Sequence, residues 1–201
     1  MKFVLASKNP NKLREMQEIL AGTDLEVISE SDAGVDVEVE ETGQTFEENA
    51  VLKAKAVCKA TGLPAIADDS GLCVTALGGG PGVYSARYGG PDKGGKAHRY
   101  ELVLDGMLGQ TDRTAKFVCC VCCILPGGGG IGARGECPGL ITYAPLGEDG
   151  FGYDPIFLVP ETRKTFAQMT AEEKNAVSHR GKALREFREK LEVYLKERGL
   201  S

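Results

Sequence analysis

Two pairs of adjacent acidic residues form the first candidate site for chemistry: Glu40-Glu41 and Asp68-Asp69. Adjacent carboxylates are costly to bury unless a cation or hydrogen-bond donors compensate their charge. Oxygen ligands of this kind suit Mg²⁺, which could join protein carboxylates to the phosphates of a substrate. The alternative is a solvated turn, because the segment Asp68–Gly71 also has typical turn chemistry. The pairs therefore indicate either a magnesium site or a surface turn.

The segment Ser7–Lys12 combines polar side chains with an expected helix start. Asn9 can cap the helix, and Pro10 suits its first position. A helix start offers unpaired N–H groups and the positive end of the helix dipole, and both favour phosphate. The side chains of Ser7 and Lys12 would add donors. The segment is a candidate phosphate site, although an ordinary capped helix with solvated lysines would have the same sequence.

Two further segments could contact a planar base. Gly150–Pro155 places aromatic residues between glycines, which permit close backbone approach and leave a ring available for stacking. Lys174 and Ser178–Arg180 supply donors around another expected helix start, where they could contact a phosphate or a base carbonyl. The alternatives are a turn with a buried Phe151 and a solvated helix end.

Two other patterns receive no chemical role. Cysteines at 119, 120, 122 and 123 have zinc-like spacings, but no second pair follows at a suitable distance. Residues on a strand alternate between its faces, so buried strand thiols are the favoured interpretation. The glycine-rich segment Leu77–Val83 lacks the Gly-Lys-Ser/Thr ending of a phosphate-binding P-loop.

The composition is that of an ordinary globular protein. The 201 residues are 42% hydrophobic and 26% charged, and a chain of this length can bury a core as one domain. A net charge of -5 argues against binding to bulk nucleic acid. The apolar run Phe117–Pro126 is about half of the roughly 20 residues in a membrane span, and Met1-Lys2 leads into a strand-like segment without a signal-peptide pattern. We expect a cytoplasmic protein with reduced thiols, no membrane contact and no nucleic-acid partner.

Strands and helices are mixed along the chain that carries these residues. Helices are predicted from Pro10, after a capping box at Thr45, over Lys96–Leu108, and from Thr170 and Ser178. Strands are predicted at Lys2–Ala6, Leu25–Ser29, Val35–Glu40, Ala65–Ala67, Leu72–Thr75, Thr114–Leu125, Ile131–Thr142 and Ile156–Val159. This places the two aspartates at a strand end. The order predicts an α/β or α+β chain with a mixed sheet.

In this order, the candidate segments together resemble the inosine triphosphate pyrophosphatase family, also called the Ham1-like family. The resemblance spans nearly the whole chain. It is carried by six co-linear blocks: Ser7–Lys12, Glu41–Ala54, Ala67–Leu72, Gly82–Tyr88, Gly150–Phe157 and Ser178–Gly181.

The resemblance implies both a fold and an activity. The implied fold is α/β, with an elongated mixed β-sheet flanked by helices and two lobes with a central cleft, forming one pyrophosphatase domain over residues 1–201. The implied activity is Mg²⁺-dependent hydrolysis of deaminated purine nucleoside triphosphates, namely ITP, dITP and XTP, to the monophosphate and pyrophosphate. The implied partners are this small-molecule substrate and a second copy of the chain in a homodimer.

Residue roles follow from the resemblance and from side-chain chemistry. By the resemblance, Asp69 accepts the proton of the attacking water and Asp68 supports the acidic centre. Asp69, with Glu40 or Glu41, would carry Mg²⁺. The expected catalytic set is Asp69, Asp68, Lys53 and Glu41. The expected substrate-binding set is Ser7, Lys8, Asn9, Pro10, Asn11, Lys12, Ser70, Phe151, Gly152, Tyr153, Asp154, Lys174, His179 and Arg180.

Within that set, Phe151 would stack on the base. Hypoxanthine and xanthine carry a 6-oxo acceptor where adenine carries an amino donor, so a donor from the protein at that position would favour them. Two other functions stay open: a Maf-like pyrophosphatase for pyrimidine or modified nucleotides, and a nucleotide sensor without turnover. A substrate panel separates the first, and tight ITP binding without product would favour the second.

Overall fold

The structure is a computed structural model that describes residues 1–21, 25–90 and 95–198, with the side chains of 95–98 left out of the description. Its strands are β1 (Lys2–Leu5), β2 (Glu26–Ser29), β3 (Ala65–Val74), β4 (Thr114–Ile124), β5 (Gly130–Ile141), β6 (Phe157–Val159) and β7 (Lys164–Thr165). Its α-helices are α1 (Pro10–Ile19), α2 (Phe46–Thr61), α3 (Gly95–Gly106), α4 (Ala171–Val177) and α5 (His179–Glu197). In the described ranges, every helix is too short or too polar to cross a membrane.

The strands form a mixed sheet, as expected from the sequence. Their order is β2-β1-β3-β4-β5-β6-β7. The strand β1 pairs in parallel with both β2 and β3, whereas β6 pairs antiparallel with β5 and β7. The chain divides into two compact units. The first comprises Met1–Asp69, Cys119–Gly135 and Arg180–Ser201, and the second comprises Ser70–Val118 and Glu136–His179.

The helix starts follow the capping signals in the sequence. Asn9 caps α1, where its side chain accepts a hydrogen bond from the Asn11 N–H at 3.0 Å, and Pro10 follows it. Thr45 and Glu48 form the expected capping box at the start of α2. Gly62 ends α2 with a positive φ of 67°, a conformation that glycine adopts without strain.

The first unit packs helices against both faces of its strands. Phe3 and Leu5 of β1 belong to one apolar cluster, to which α1 and α5 contribute Met16 and Leu184. The intervening Val4 belongs to a second cluster, which includes residues of α2. Because side chains alternate along a strand, α1 and α5 lie on one face and α2 lies on the other.

The second unit has a core rich in aromatic rings. The rings of Phe117 and Phe157 lie 4.7 Å apart in an edge-to-face arrangement, and the ring centroid of Phe166 is 5.0 Å from that of Phe157. Edge and offset contacts of this kind stabilise aromatic pairs beyond their burial. These side chains belong to the same cluster as Val103 and Met107 near the end of α3.

Two strand predictions are wrong. Val35–Glu40 belongs to no strand, although its exposure alternates as expected. Its backbone is held instead by Glu30, whose carbonyl accepts from the Val35 N–H and whose carboxylate accepts from the Val37 N–H. The strands predicted at Ala65–Ala67 and Leu72–Thr75 are one continuous strand of 10 residues, β3, so Asp68 and Asp69 lie in its middle rather than at a strand end.

Several other elements match their predictions closely. The long hairpin of β4 and β5 begins and ends within one residue of the expected bounds. The four cysteines of β4 are buried and form no disulfide, as favoured above.

Candidate active site

Asp68 and Asp69 are neighbours in the middle of β3 and point to opposite faces of the strand. Asp68 contacts side chains from α1 and α5, whereas Asp69 contacts side chains from α2. Two carboxylates that are adjacent in sequence therefore lie in two different environments.

Asp68 is the centre of a buried ion cluster. Its side chain is 1% exposed, and its Oδ2 atom lies 3.0 Å from Lys12 Nζ and 3.3 Å from Arg180 Nη2. Arg180 also contacts Glu15, through Nη1 and Oε2 at 2.5 Å. The cluster thus joins α1, β3 and α5 by charge-assisted hydrogen bonds.

The charges of this cluster set the protonation of its members. Burial opposes ionisation of Asp68, but Lys12, Arg180 and Lys53 together hold its pKa well below the usual value. Burial likewise opposes the charge of Arg180, while Asp68 and Glu15 raise its pKa. Asp68 is therefore an ionised structural anion rather than a group that exchanges protons near neutral pH.

The environment of Asp69 favours the protonated carboxyl group more than the environment of Asp68 does. Its Oδ1 atom is 3.1 Å from Lys53 Nζ, and its Oδ2 atom is 3.4 Å from Asn49 Nδ2. Lys53 Nζ also lies 2.9 Å from Glu41 Oε1. Burial and the nearby charge of Glu41 raise the pKa of Asp69, while Lys53 lowers it and only partly compensates. A carboxylate with a raised pKa is better suited to accept a proton than its neighbour Asp68.

Two ammonium groups converge on the backbone between these clusters. The carbonyl oxygen of Asp68 accepts hydrogen bonds from Lys12 Nζ at 3.3 Å and from Lys53 Nζ at 3.0 Å. The charges of Asp69, Asp68 and Glu41 raise the pKa of Lys53 above its usual value despite its burial. Both lysines come from the predicted site, and their cationic ends meet at one position on β3.

Polar groups at the start of α1 form hydrogen bonds to one another, which the sequence did not predict. The Ser7 hydroxyl accepts from the Asn9 N–H at 3.2 Å, and the Asn9 carbonyl accepts from the N–H of Lys12 at 3.1 Å. Lys8 forms an exposed ion pair with Asp36 at 2.6 Å. Of the cations in Ser7–Lys12, Lys12 is the one that reaches the aspartate pair.

In the second unit, Phe151, Asp154 and Lys174 form one contact group. Asp154 Oδ2 accepts from the Phe151 N–H at 2.7 Å and lies 2.8 Å from Lys174 Nζ. The Lys174 ammonium also stands 4.7 Å from the centroid of the Phe151 ring. Gly150 has a φ of 79°, and a Cβ atom there would collide with Asp154 Oδ2, so this turn requires glycine.

The other expected base-binding residues have structural contacts of their own. Tyr153 is buried, and its hydroxyl donates to the Ser85 carbonyl at 2.8 Å. The His179 ring is buried against Phe117, with centroids 4.6 Å apart and planes at 11°. Gly152 is half-buried, as is Ser70, which was expected to bind the substrate without an assigned contact to the base.

Two of the acidic residues offer oxygen ligands for a hard cation such as Mg²⁺. Glu41 and Asp69 both contact Lys53, whereas Glu40 is exposed. Mg²⁺ often takes only one or two protein carboxylates and completes its shell with water and substrate phosphate. Within the part of the chain that is described, no three His, Cys, Asp or Glu side chains are grouped to hold a metal by themselves. Two carboxylates fit the substrate-assisted type of magnesium site in kind and number.

Sequence reasoning missed the roles of Glu15 and Asn49. Glu15 follows Lys12 by three residues on α1, and Asn49 precedes Lys53 by four on α2, so helical spacing already placed each beside a named lysine. Their partners Arg180 and Asp69 lie 165 and 20 residues away in sequence. One sequence carries no signal for contacts of that kind.

Comparison with known proteins identifies the family. Residues 3–190 match the model of the Ham1 family. The chain belongs to the Ham1 family. This Ham1 chain is 46% identical over 196 residues to the dITP/XTP pyrophosphatase of an Exiguobacterium species, covering 98% of this chain and 100% of that protein. It is 53% identical over 182 residues to the dITP/XTP pyrophosphatase of a Nostoc species, covering 90% and 89% respectively.

Solved structures agree with this membership. The Ham1 protein of Staphylococcus aureus is 42% identical and superposes with a TM-score of 0.86, over 98% of this Ham1 chain and all of the other. The Ham1 protein of Coxiella burnetii is 42% identical with a TM-score of 0.88, over 98% and 99%. The family resemblance and the mixed α/β fold expected from the sequence are therefore both confirmed.

Proposed function

We propose that this Ham1 chain hydrolyses non-canonical purine nucleoside triphosphates such as ITP, dITP and XTP to the monophosphate and pyrophosphate. Relatives that match over nearly the whole chain carry the name dITP/XTP pyrophosphatase. The observation that carries the proposal is the meeting of Lys12 and Lys53 at the Asp68 carbonyl, beside the carboxylates of Asp69 and Glu41. The site therefore combines two ammonium groups that can bind phosphate oxygens with a carboxylate that can accept a proton.

The reaction adds water across the bond between the α- and β-phosphates. Asp69 accepts the proton from the attacking water, and its raised pKa supports that role. Lys53, together with Lys12, binds phosphate oxygens, so the negative charge that moves onto the leaving pyrophosphate is balanced by fixed cations. Asp68 keeps Lys12 in place rather than reacting, because its pKa is held low by three cations.

The acidic pair also supports a divalent cation. Glu41 and Asp69 would hold Mg²⁺, and a bound Mg²⁺ would polarise phosphate oxygens. Glu41 is preferred to Glu40 because it shares the Lys53 contact with Asp69. Removing divalent cations with EDTA should abolish turnover and added Mg²⁺ should restore it. Full activity in EDTA would contradict this part of the proposal.

Base binding is assigned to the second unit. Phe151 offers its ring for stacking, and Lys174, which lies over that ring, offers a donor to a 6-oxo group. Asp154 fixes both groups through its contacts with the Phe151 N–H and the Lys174 ammonium. A donor at this position would favour hypoxanthine and xanthine over adenine, whose 6-amino group is itself a donor.

A kinetic panel of ITP, dITP, XTP, GTP, ATP and dTTP with Mg²⁺ tests the proposal, with monophosphate and pyrophosphate measured separately. The expected result is that ITP, dITP and XTP have the highest kcat/KM and give both products in equal amounts. Release of inorganic phosphate instead of pyrophosphate would contradict the assigned bond. Turnover of dTTP but not ITP would favour the Maf-like alternative, and tight ITP binding without products would favour a sensor.

Four further assignments stay with this proposal. We propose one pyrophosphatase domain over residues 1–201, a homodimer, no nucleic-acid partner and a cytoplasmic location. The single domain and the homodimer are supported by the family resemblance, and the lack of a nucleic-acid partner is supported by the net charge of -5. The cytoplasmic location is supported by the clustered cysteines of β4, which form no disulfide. The mass in solution by light scattering tests the dimer, and a mass of 21.4 kDa would show a monomer.

A further inference from the structure

Asn49 is the one fully buried polar side chain that contacts the Asp69 carboxylate in the described ranges. It lies in the first turns of α2, whose start is fixed by the Thr45–Glu48 capping box. Both ends of its side-chain amide make hydrogen bonds: Oδ1 accepts from the Gly43 N–H at 2.8 Å, and Nδ2 donates to Asp69 Oδ2 at 3.4 Å.

The orientation of this amide follows from its partners. The Gly43 N–H can only donate, so the atom facing it must be the amide oxygen. The nitrogen then faces Asp69, where a donor is required because the ionised carboxylate can only accept. The one side chain therefore satisfies a backbone donor and a carboxylate acceptor at the same time.

Gly43 shows how closely the preceding segment packs on Asn49. A Cβ atom at position 43 would lie 2.6 Å from Asn49 Oδ1 and 2.9 Å from the Asn49 backbone nitrogen. Only glycine allows this approach without a shift of the backbone. Glu41 lies two residues before Gly43, so the contact also fixes the chain that carries Glu41.

Asp69 is oriented by one face of α2. Lys53 contacts its Oδ1 atom and Asn49 contacts its Oδ2 atom, and the two residues lie one helical turn apart. Lys53 alone could follow a rotating carboxylate, because its side chain is long and bends easily. The short Asn49 side chain, enclosed on all sides, defines the direction of the second oxygen.

We propose that Asn49 is a positioning residue for the reaction: its amide orients the Asp69 carboxylate and docks the Glu41 segment against the same helix. The inference rests on the proposed function, because it assumes that Asp69 activates water. A misoriented carboxylate would leave the ammonium group of Lys12 available for phosphate, so the effect falls on kcat rather than on KM.

Two substitutions test this role. Asn49→Leu keeps the branching at Cγ, although leucine is larger, and removes both hydrogen bonds. Asn49→Asp keeps the acceptor for Gly43 but replaces the donor facing Asp69 with an oxygen. We expect each to lower kcat for ITP by about 10–100-fold with KM within about 3-fold, the range usual for residues that orient a reacting group. Glu48→Ala is the matched control, since it removes the capping box of the same helix without touching Asp69.

The outcomes separate positioning from simple stability. Glu48→Ala should lower the unfolding temperature but keep kcat, while Asn49→Asp should lose kcat even if Asn49→Leu fails to fold. Near-normal kcat in folded Asn49→Asp, or an equal loss of kcat in Glu48→Ala, would overturn the positioning role of Asn49 and leave the proposed function standing. A wild-type protein that releases no pyrophosphate from ITP or XTP would overturn the proposed function, and the inference with it.

Discussion

Adjacent aspartates on β3 should respond oppositely to the same isosteric substitution. Asp68→Asn and Asp69→Asn each remove one negative charge and keep the side-chain shape. Asp68 is 1% exposed among cations, whereas the Asp69 side chain is 11% exposed and shares its surroundings with another carboxylate. The first substitution should lower stability and the second should lower only activity.

The magnitude for Asp68→Asn follows from the partners that would be left. Lys12 and Arg180 would lose their shared anion, although Arg180 keeps Glu15 and Lys12 keeps the Asp68 carbonyl. Removing one partner of a buried pair costs about 3–5 kcal/mol, and these remaining contacts place the change at the lower end, about 3 kcal/mol. For a chain of this size that lowers Tm by roughly 6–12 °C.

Asp69→Asn should leave Tm unchanged or raise it. Because burial and Glu41 raise the pKa of Asp69, its ionised form at neutral pH is less stable in the folded protein than in the unfolded chain. Asparagine removes that penalty, although Lys53 loses one of its two carboxylate contacts. Turnover of ITP should be lost, since the amide cannot accept the proton of the attacking water.

Thermal unfolding in EDTA, followed by calorimetry at pH 7, measures both effects without a contribution from bound cations. Turnover of ITP is then measured with Mg²⁺ for the same preparations. The separation of roles on β3 would be refuted by an equal fall in Tm for both variants. It would also be refuted by an unchanged Tm in Asp68→Asn or by near-normal turnover in Asp69→Asn.

Three other predictions concern phosphate binding by Lys53, base stacking on Phe151 and the effect of low pH on stability through Asp68. Lys53→Met should lower kcat/KM for ITP by about 100-fold or more, whereas Lys55→Met on the exposed side of α2 should change it little; equal effects would contradict phosphate binding by Lys53. Phe151→Ala should raise KM for ITP by about 5–100-fold at similar kcat, while Tyr143→Ala, which removes an exposed aromatic ring of the same unit, should not; an unchanged KM would remove the stacking role. Because the folded-state pKa of Asp68 is lowered, its contribution to stability is complete above about pH 4, its ordinary pKa, and is lost as pH falls through the folded-state value. The Tm of the wild type should therefore fall more steeply below pH 4 than that of Asp68→Asn, and parallel curves would show that this carboxylate does not couple to folding.

Local signals in the sequence predicted the helices well. The cap at Asn9 and the capping box at Thr45 each involve residues within one turn, so a single sequence contains the whole interaction. The strand break predicted at the segment Asp68–Gly71 is absent for the opposite reason. Its local preference was overridden by Lys12 and by Arg180, which lies 112 residues away and neutralises the buried charge.

The same limit applies to the candidate site. Residue types alone selected the acidic pair that contains Asp69 and the segment that contains Lys12, because paired acids and a helix start restrict the chemistry, whereas Lys53 came from the family resemblance. The partners of these groups were not predictable, since Asn49 and Glu15 are unremarkable helical residues until the strand they face is known. Which of two adjacent aspartates is structural also depended on the packing of three helices against β3.

Two identical residues side by side on β3 restrict its alignment with β1 only weakly by charge. If the strand slipped by one position, one aspartate would take the place of the other, and the displaced one would lie on the opposite face, about 7 Å along the strand from the position that its neighbour occupied. The preceding residues distinguish the alignments, because the large Ile66 packs with α1 and α5 while the small Ala65 and Ala67 pack with α2. A slip would force the isoleucine into space that holds only a methyl group, so side-chain volume, rather than polarity, decides which carboxylate faces Lys53.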